Sequence, residues 1–315
     1  MTFLSTPFRF CFLLLCWGGH FVWAQQEASF NQYMFLHQTV NAGYAGAKNY
    51  SSFTVINRAQ WFGFEGGPNS QSFSFNSTRS PKNIGFAVSG LYDRIGPLSH
   101  TQAGLDFSYQ LKLSEKEHYL GIGLKLSTVF FSLDEAMLSP LNQADPVLYS
   151  LSGANRLEPN IGFGLYFQTP RFYTGFSIPR MIEDPEIFMQ RHAYLIVGGL
   201  LRLSPSLELK PSVLLKNTKG VPLGYDMSVL FYMNERIWVG PQLKNANNLS
   251  SPFSTSGVGL SLLAGLHMGQ HLSLGYAYGN AIGFSNAENV SSHEIFLRYD
   301  LSPKVLGILR SPRLF

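Results

Sequence analysis

Charge is scarce in this chain: Asp, Glu, Lys and Arg make up 13% of its 315 residues, while 45% are hydrophobic. That is about half the charged share of an ordinary soluble domain. Long apolar runs are missing as well. A membrane-crossing helix needs about 18 or more consecutive apolar residues, and beyond the N-terminus the longest run, Ala193 to Leu201, ends at Arg202. A helical membrane protein is therefore excluded, and the apolar content excludes disorder. No charge of one sign dominates: the net charge is +4 and Lys and Arg are scattered, which does not favour a nucleic-acid binder. Cysteine occurs only at Cys11 and Cys16.

Residues 1–24 combine Arg9, an apolar stretch from Phe10 to Trp17, and Val22-Trp23-Ala24 ahead of Gln25. This is the pattern of a secretory signal peptide. Both cysteines fall inside it, so the exported chain has no disulfide framework. Cys16 follows Leu15 rather than the small residue of a lipoprotein cleavage site, and no other lipidation motif is present. The expected organisation is a leader 1–24, a segment 25–49 packed on or in the main fold, a body 50–301 and a tail 302–315.

What the body contains is alternation. In Thr101 to Leu113, Ala103, Leu105, Phe107, Tyr109, Leu111 and Leu113 share one face, and Gln102, Asp106, Ser108, Gln110 and Lys112 share the other. Period two is the signature of strands with unlike faces. Runs of this kind predict about fourteen strands, near 50–58, 70–78, 83–92, 101–113, 118–131, 158–169, 171–179, 191–203, 207–216, 223–233, 236–244, 255–268, 271–280 and 291–301. Strands of about ten residues, even in number, with a polar second face, suit an all-β transmembrane antiparallel barrel, which leaves no unpaired edge in lipid. A soluble sandwich is the rival, but its outer face should carry more charge than the Gly, Ser and Tyr seen here. Short connections such as Thr169-Pro170-Arg171 and Gly269-Gln270 contrast with Asp93 to His100, Ser132 to Leu157 and Pro179 to Gln190, as expected for a barrel with long loops on one side. The 132–157 stretch is too long for a plain hairpin and reads as a functional loop, plug or lid.

No chemistry-bearing motif emerges. There is no nucleophile elbow, P-loop or complete dinucleotide fingerprint; Gly162-Phe163-Gly164 and Gly257-Val258-Gly259 lie in strands, where glycine lets bulky lumen groups approach the wall. His267 and His271 flank a hairpin turn without a third metal ligand. His293-Glu294 and Arg191-His192 are neighbours that point to opposite faces. No catalytic, cofactor or metal site is expected, and the partner-binding residues are unknown. Asp93 and Arg94 are an exposed pairing candidate. Trp61, Tyr109, Tyr119, Phe167, Tyr225, Trp238 and Tyr278 suit either interfacial girdles or core packing. Gln102, Asp106, Lys112, Lys125, Glu208, Lys210, Asp226, Glu294 and Arg298 are the candidate lumen groups. Asn41 to Gly46 reads as tight turns or a segment packed against the wall.

Particular residues also form a recognisable series. Phe30-Asn31-Gln32-Tyr33-Met34-Phe35 and Asn41-Ala42-Gly43-Tyr44-Ala45-Gly46 are followed by Arg58, Gln60, Trp61, Gly63, Gly66 and Pro68, then Asp93, Ile95, Gly96 and Pro97. Pro159-Asn160, Tyr173 with Gly175, Arg191-His192, Pro211-Ser212, Trp238 with Gly240, Gly275-Tyr276-Ala277-Tyr278, Ser292-His293-Glu294-Ile295 and Ser311-Pro312-Arg313-Leu314-Phe315 continue it in order. The series resembles the PorP/SprF family of outer-membrane proteins associated with the type IX secretion system of Bacteroidota, departing at Leu36, at Gly43 and in Gly224-Tyr225-Asp226-Met227-Ser228. The resemblance implies a non-enzymatic outer-membrane component of the secretion or gliding machinery, serving secretion or surface attachment of specific cargo. Implied partners are secretion or gliding subunits, a peptidoglycan-linked adaptor, the C-terminal sorting domain of a cargo protein, and outer-membrane lipid; no nucleic acid or cofactor is implied. The alternative function is an outer-membrane pore or transporter for small solutes.

Overall fold

The computed structural model describes residues 28–134, 137, 155–184, 189–245, 258–282 and 291–301. The leader, the tail and most of the 132–157 loop lie outside those residues. One sheet is formed by β1 (Ser51–Gln60), β2 (Asn69–Asn76), β3 (Ile84–Ile95), β4 (Leu98–Ser114), β5 (His118–Leu133), β6 (Arg156–Gln168), β7 (Phe172–Ile178), β8 (His192–Gly199), β9 (Leu201–Ser204), β10 (Leu207–Thr218), β11 (Val221–Met233), β12 (Ile237–Asn245), β13 (Val258–Met268), β14 (Leu272–Ile282) and β15 (Ser291–Leu301). Sequential strands pair antiparallel, except that β8 and β9 both pair with β10, and β15 returns to β1 in a continuous register from Ser51↔Leu301 to Gln60↔Ser292. The sheet is thereby a closed barrel of 14 strands with β9 as one extra short piece. No helix among the described residues is long and apolar enough to cross a membrane.

The expected strand 191–203 is divided into β8 and β9, both paired to β10. Pairing with β8 stops at Ser212↔Gly198 and resumes with β9 at Leu209↔Leu201. The break falls opposite Pro211, which has no N–H to give to a ladder. Leu200 instead donates its N–H to the Arg171 carbonyl at 2.8 Å.

Asp93 to His100 is not a long loop. β3 and β4 run almost to its tip, with Ile95↔Leu98 as the last pair and Gly96 at φ +58 turning the chain. The connections 61–68, 134–155, 179–191, 246–257 and 283–290 leave from this same end, and the turns 115–117, 169–171, 234–236 and 269–271 from the other. These are called here the long-loop end and the short-turn end.

Polarity runs opposite to that of a soluble protein. Leu124, Leu262 and Ile295 are 62%, 58% and 56% exposed, whereas Asp106, Lys210, Asp226 and Glu294 are each at 0%. A sandwich would bury the leucines and solvate the carboxylates, so that reading is overturned. An outer wall this apolar is stable only against lipid. Leu124→Arg is accordingly expected to destabilise the folded protein by about 2–4 kcal/mol in reversible urea unfolding from lipid vesicles. A change as small as that of an ordinary solvent-exposed site would contradict a lipid-facing wall.

Candidate functional site

The lumen is occupied. Residues 28–50 run through it from the long-loop end, where Ser29 meets Arg58, Lys216 and Lys244, to the short-turn end, where Ala47 accepts from Gln168 Nε2 at 2.6 Å and Arg79 Nη2 at 3.0 Å. The segment folds into short turns: a 3-10 turn at Tyr33–Phe35, the single helical turn α1 (His37–Val40) and a second 3-10 turn at Ala42–Tyr44. Such short pieces are not stable alone. They persist because the wall satisfies their backbone.

Three kinds of contact hold them. The first is polar. Glu294 on β15 accepts the amides of Asn31 and Gln32 at 2.7 and 2.8 Å, and Gln38 Nε2 donates to Asp106 Oδ2 at 2.7 Å. Asp106 is also bound by Lys125 at 3.0 Å, with both side chains almost fully buried. Asn41 Oδ1 caps the next turn by accepting from Gly43 N at 2.9 Å, while its Nδ2 donates to the Leu165 carbonyl at 2.9 Å. Gln110 Nε2 donates to the carbonyls of Gly43 and Ala45 at 2.9 and 2.7 Å, and Asn76 Oδ1 accepts from Gly46 N at 2.9 Å. Main-chain groups that would otherwise be stranded in the lumen are thus paired.

The second contact is aromatic. Phe35 lies 5.5 Å from Trp238 and 5.1 Å from Phe296, and His37 sits among Tyr44, Tyr166 and Tyr173, its Nδ1 2.8 Å from the Tyr166 hydroxyl. The third is absence of side chain. Lumen-facing Gly85, Gly121, Gly123 and Gly164 leave a bare strip on β3, β5 and β6 that the backbone from Asn41 to Gly46 occupies. A Cβ on Gly164 would meet Asn41 Oδ1 and lie 2.9 Å from both Ala42 N and Gly43 N.

The candidate lumen groups come together with one exception. Gln102, Asp106, Lys125, Lys210, Asp226, Glu294 and Arg298 are buried inside the barrel, and Glu208 is partly buried. Lys112 is outside the set, exposed near the short-turn end and paired with Glu115 at 2.6 Å. Asp93 and Arg94 do not pair, because they occupy opposite faces: Asp93 accepts from Ser70 Oγ at 2.5 Å inside, and Arg94 reaches the Gly96 carbonyl and Met137 outside. Trp238 belongs to no girdle. It is fully buried in the lumen core, and Tyr225 is buried as well, whereas Tyr109 and Tyr278 are exposed on the outer wall. His267 bonds Ser273 Oγ and His271 the Asp300 carbonyl, each a structural contact. Sequence reasoning missed Gln38, and it read the glycine strip only in part, at Gly164 and not at Gly85, Gly121 and Gly123. The strip had a signal: glycines recur on the polar face of β5 and β6, where a water-filled channel would have no need of them.

Removing one partner of a buried ion pair strands the other, at a cost of about 3–5 kcal/mol. Asp106→Leu is expected to lose that much in urea unfolding, while Asp106→Leu with Lys125→Met recovers most of it; full additivity of the two single changes in the double variant would contradict the pairing. Gly164→Val is expected to push the segment off the wall and raise planar-bilayer conductance above that of the wild type. Unchanged conductance with a folded barrel would show that the strip does not seat it.

The family model for the type IX secretion system membrane protein PorP/SprF matches residues 22–299. No curated protein matches the chain. Among solved structures, the Acinetobacter baumannii outer membrane protein Omp33 is 10% identical over 81% of this chain and 99% of its own, with a TM-score of 0.45. CdiB from Acinetobacter baumannii is 10% identical over 80% of this chain and 60% of its own, with a TM-score of 0.47. The TodX monoaromatic hydrocarbon channel is 9% identical over 84% and 93%, with a TM-score of 0.48. The family match spans the occupying segment and nearly the whole barrel, and the chain belongs to the PorP/SprF family of type IX secretion system membrane proteins, located in the outer membrane.

Proposed function

We propose that this protein is a non-enzymatic outer-membrane component of the type IX secretion or gliding machinery that supports secretion or surface attachment of specific cargo proteins. The observation that carries the proposal is the family match over 22–299 on a barrel whose lumen is occupied. A barrel serving free diffusion keeps a water-filled path; here the path is crossed by residues 28–50, so the solute-pore alternative lacks its conduit. The buried ionisable groups support a scaffold rather than a reaction: Asp106 is engaged with Gln38 and Lys125, and Glu294 with two backbone amides and Arg58.

In this reading the leader 1–24 is removed on export, residues 28–50 are the plug, and the long-loop end faces the cell exterior. The short-turn end then faces periplasmic ring subunits and a peptidoglycan-linked adaptor, and the cargo's C-terminal sorting domain is a further partner. A deletion strain is expected to lose secretion or surface display of a subset of sorting-domain cargo, measured by comparing secreted and surface proteomes. Normal secretion of all such cargo would sink the proposal, and a wild-type barrel that conducts small solutes freely would promote the pore.

A further inference from the structure

The plug does not fill the lumen to the long-loop end. Above it lies a cavity of about 390 Å³, within the size range of small-ligand pockets. Its floor is apolar, made by Phe30, Leu36 and Val40 of the plug, and Trp61 and Ile95 line it where the strands end.

One wall is cationic. Lys216 on β10 and Lys244 on β12 stand on either side of Asp226 on β11. Lys216 takes this carboxylate at 2.8 Å. Lys244 faces Asp226 in the register, yet its Nζ ends on neutral oxygens, Ser29 Oγ at 3.0 Å and the Ser29 carbonyl at 3.5 Å. Among the described residues no carboxylate lies within ion-pair distance of it. Arg58 also donates to the Ser29 carbonyl; its own carboxylate, Glu294, is 3.9 Å away and already accepts two plug amides. Three cations therefore converge on one serine. The remaining groups around the cavity do not compensate Lys244: Asp93 lies across the barrel on β3 and accepts from Ser70, and His192 turns Nδ1 to the Gln190 carbonyl at 3.0 Å.

An ammonium has three donors, and a carboxylate is a far stronger acceptor for them than a serine hydroxyl. We propose that this vestibule binds an organic carboxylate, with its charge on Lys244 beside Lys216 and Arg58 and its apolar body on Phe30, Leu36 and Val40. At about 30 Å³ per water the space equals roughly a dozen waters, enough for one or two amino-acid residues or a small organic acid. Two sources present this chemistry: a free small carboxylate, and the C-terminal residue of an extended polypeptide entering between the long loops. The proposal goes beyond the secretion reading and does not depend on it.

The test is calorimetric titration of the full-length barrel, folded in detergent and checked by heat-modifiable gel migration. The probes are N-acetyl-Leu-Phe with a free carboxylate, the same dipeptide as its C-terminal amide, and hexanoate. The acid is expected to bind saturably and the amide about tenfold more weakly or not at all. Lys244→Gln should weaken the acid by a similar factor, and Lys112→Gln, at the short-turn end, should leave it unchanged. Competition by hexanoate assigns the site to free carboxylates; binding of the peptide acid alone assigns it to a polypeptide terminus. Equal affinity for acid and amide, no saturable binding of either acid, or full binding by folded Lys244→Gln would overturn the proposal. The acid–amide contrast needs no variant and holds if Lys244→Gln fails to fold.

Discussion

Everything in this molecule answers to one constraint: the wall of a sheet closed in lipid can place charge only on its lumen face, and where that lumen is filled by protein the charge must be neutralised without bulk water. Asp106 and Glu294 show how this is met. Neither relies on the wall alone. Asp106 has Lys125 from the neighbouring strand and Gln38 from the plug, and Glu294 has Arg58 beside it and the amides of Asn31 and Gln32. The N-terminal segment is therefore part of the electrostatic solution of the barrel. Without the segment, Glu294 would lose the two amide hydrogen bonds and keep one cation, at 3.9 Å.

Dependence also runs the other way. A chain of single turns such as Tyr33–Phe35, His37–Val40 and Ala42–Tyr44 has too few internal bonds to hold its shape. Gln110, Asn76 and Asn41 supply the missing partners, and Gly85, Gly121, Gly123 and Gly164 supply the room. Each glycine weakens its strand for want of a packing side chain. That loss is offset by backbone pairing and aromatic burial that larger residues would block. Wall and plug are one folding unit in this sense.

Much of this was legible in the sequence, and the limits have physical causes. The outer wall was readable because lipid imposes period-two alternation on every strand, and Leu105, Phe107 and Tyr109 obey it without interruption. Glu294 and Asp226 were identifiable as lumen groups for the same reason. Pairings between distant parts of the chain leave no local trace: nothing near Gln38 points to Asp106, and nothing near Ser29 points to Lys244. Local rules also misled where a tertiary feature prevailed. Pro211 interrupts a neighbour, β8, not its own strand; Trp238 looks like an interfacial girdle residue until its lumen face is known; and Asp93 and Arg94, adjacent in sequence, are separated by the pleat.

Residues 28–50 are as much a part of the folded barrel as its strands. Their amides make this directly measurable, since those of Asn31, Gln32, Leu36, Asn41, Gly43, Ala45, Gly46 and Ala47 all donate hydrogen bonds. Hydrogen–deuterium exchange of the protein in lipid vesicles, read by mass spectrometry, compares this segment with β5 and β6. Slow exchange is expected across the segment, of the same order as in those strands. Exchange at the rate of an unprotected chain, with the barrel strands still protected, would contradict it.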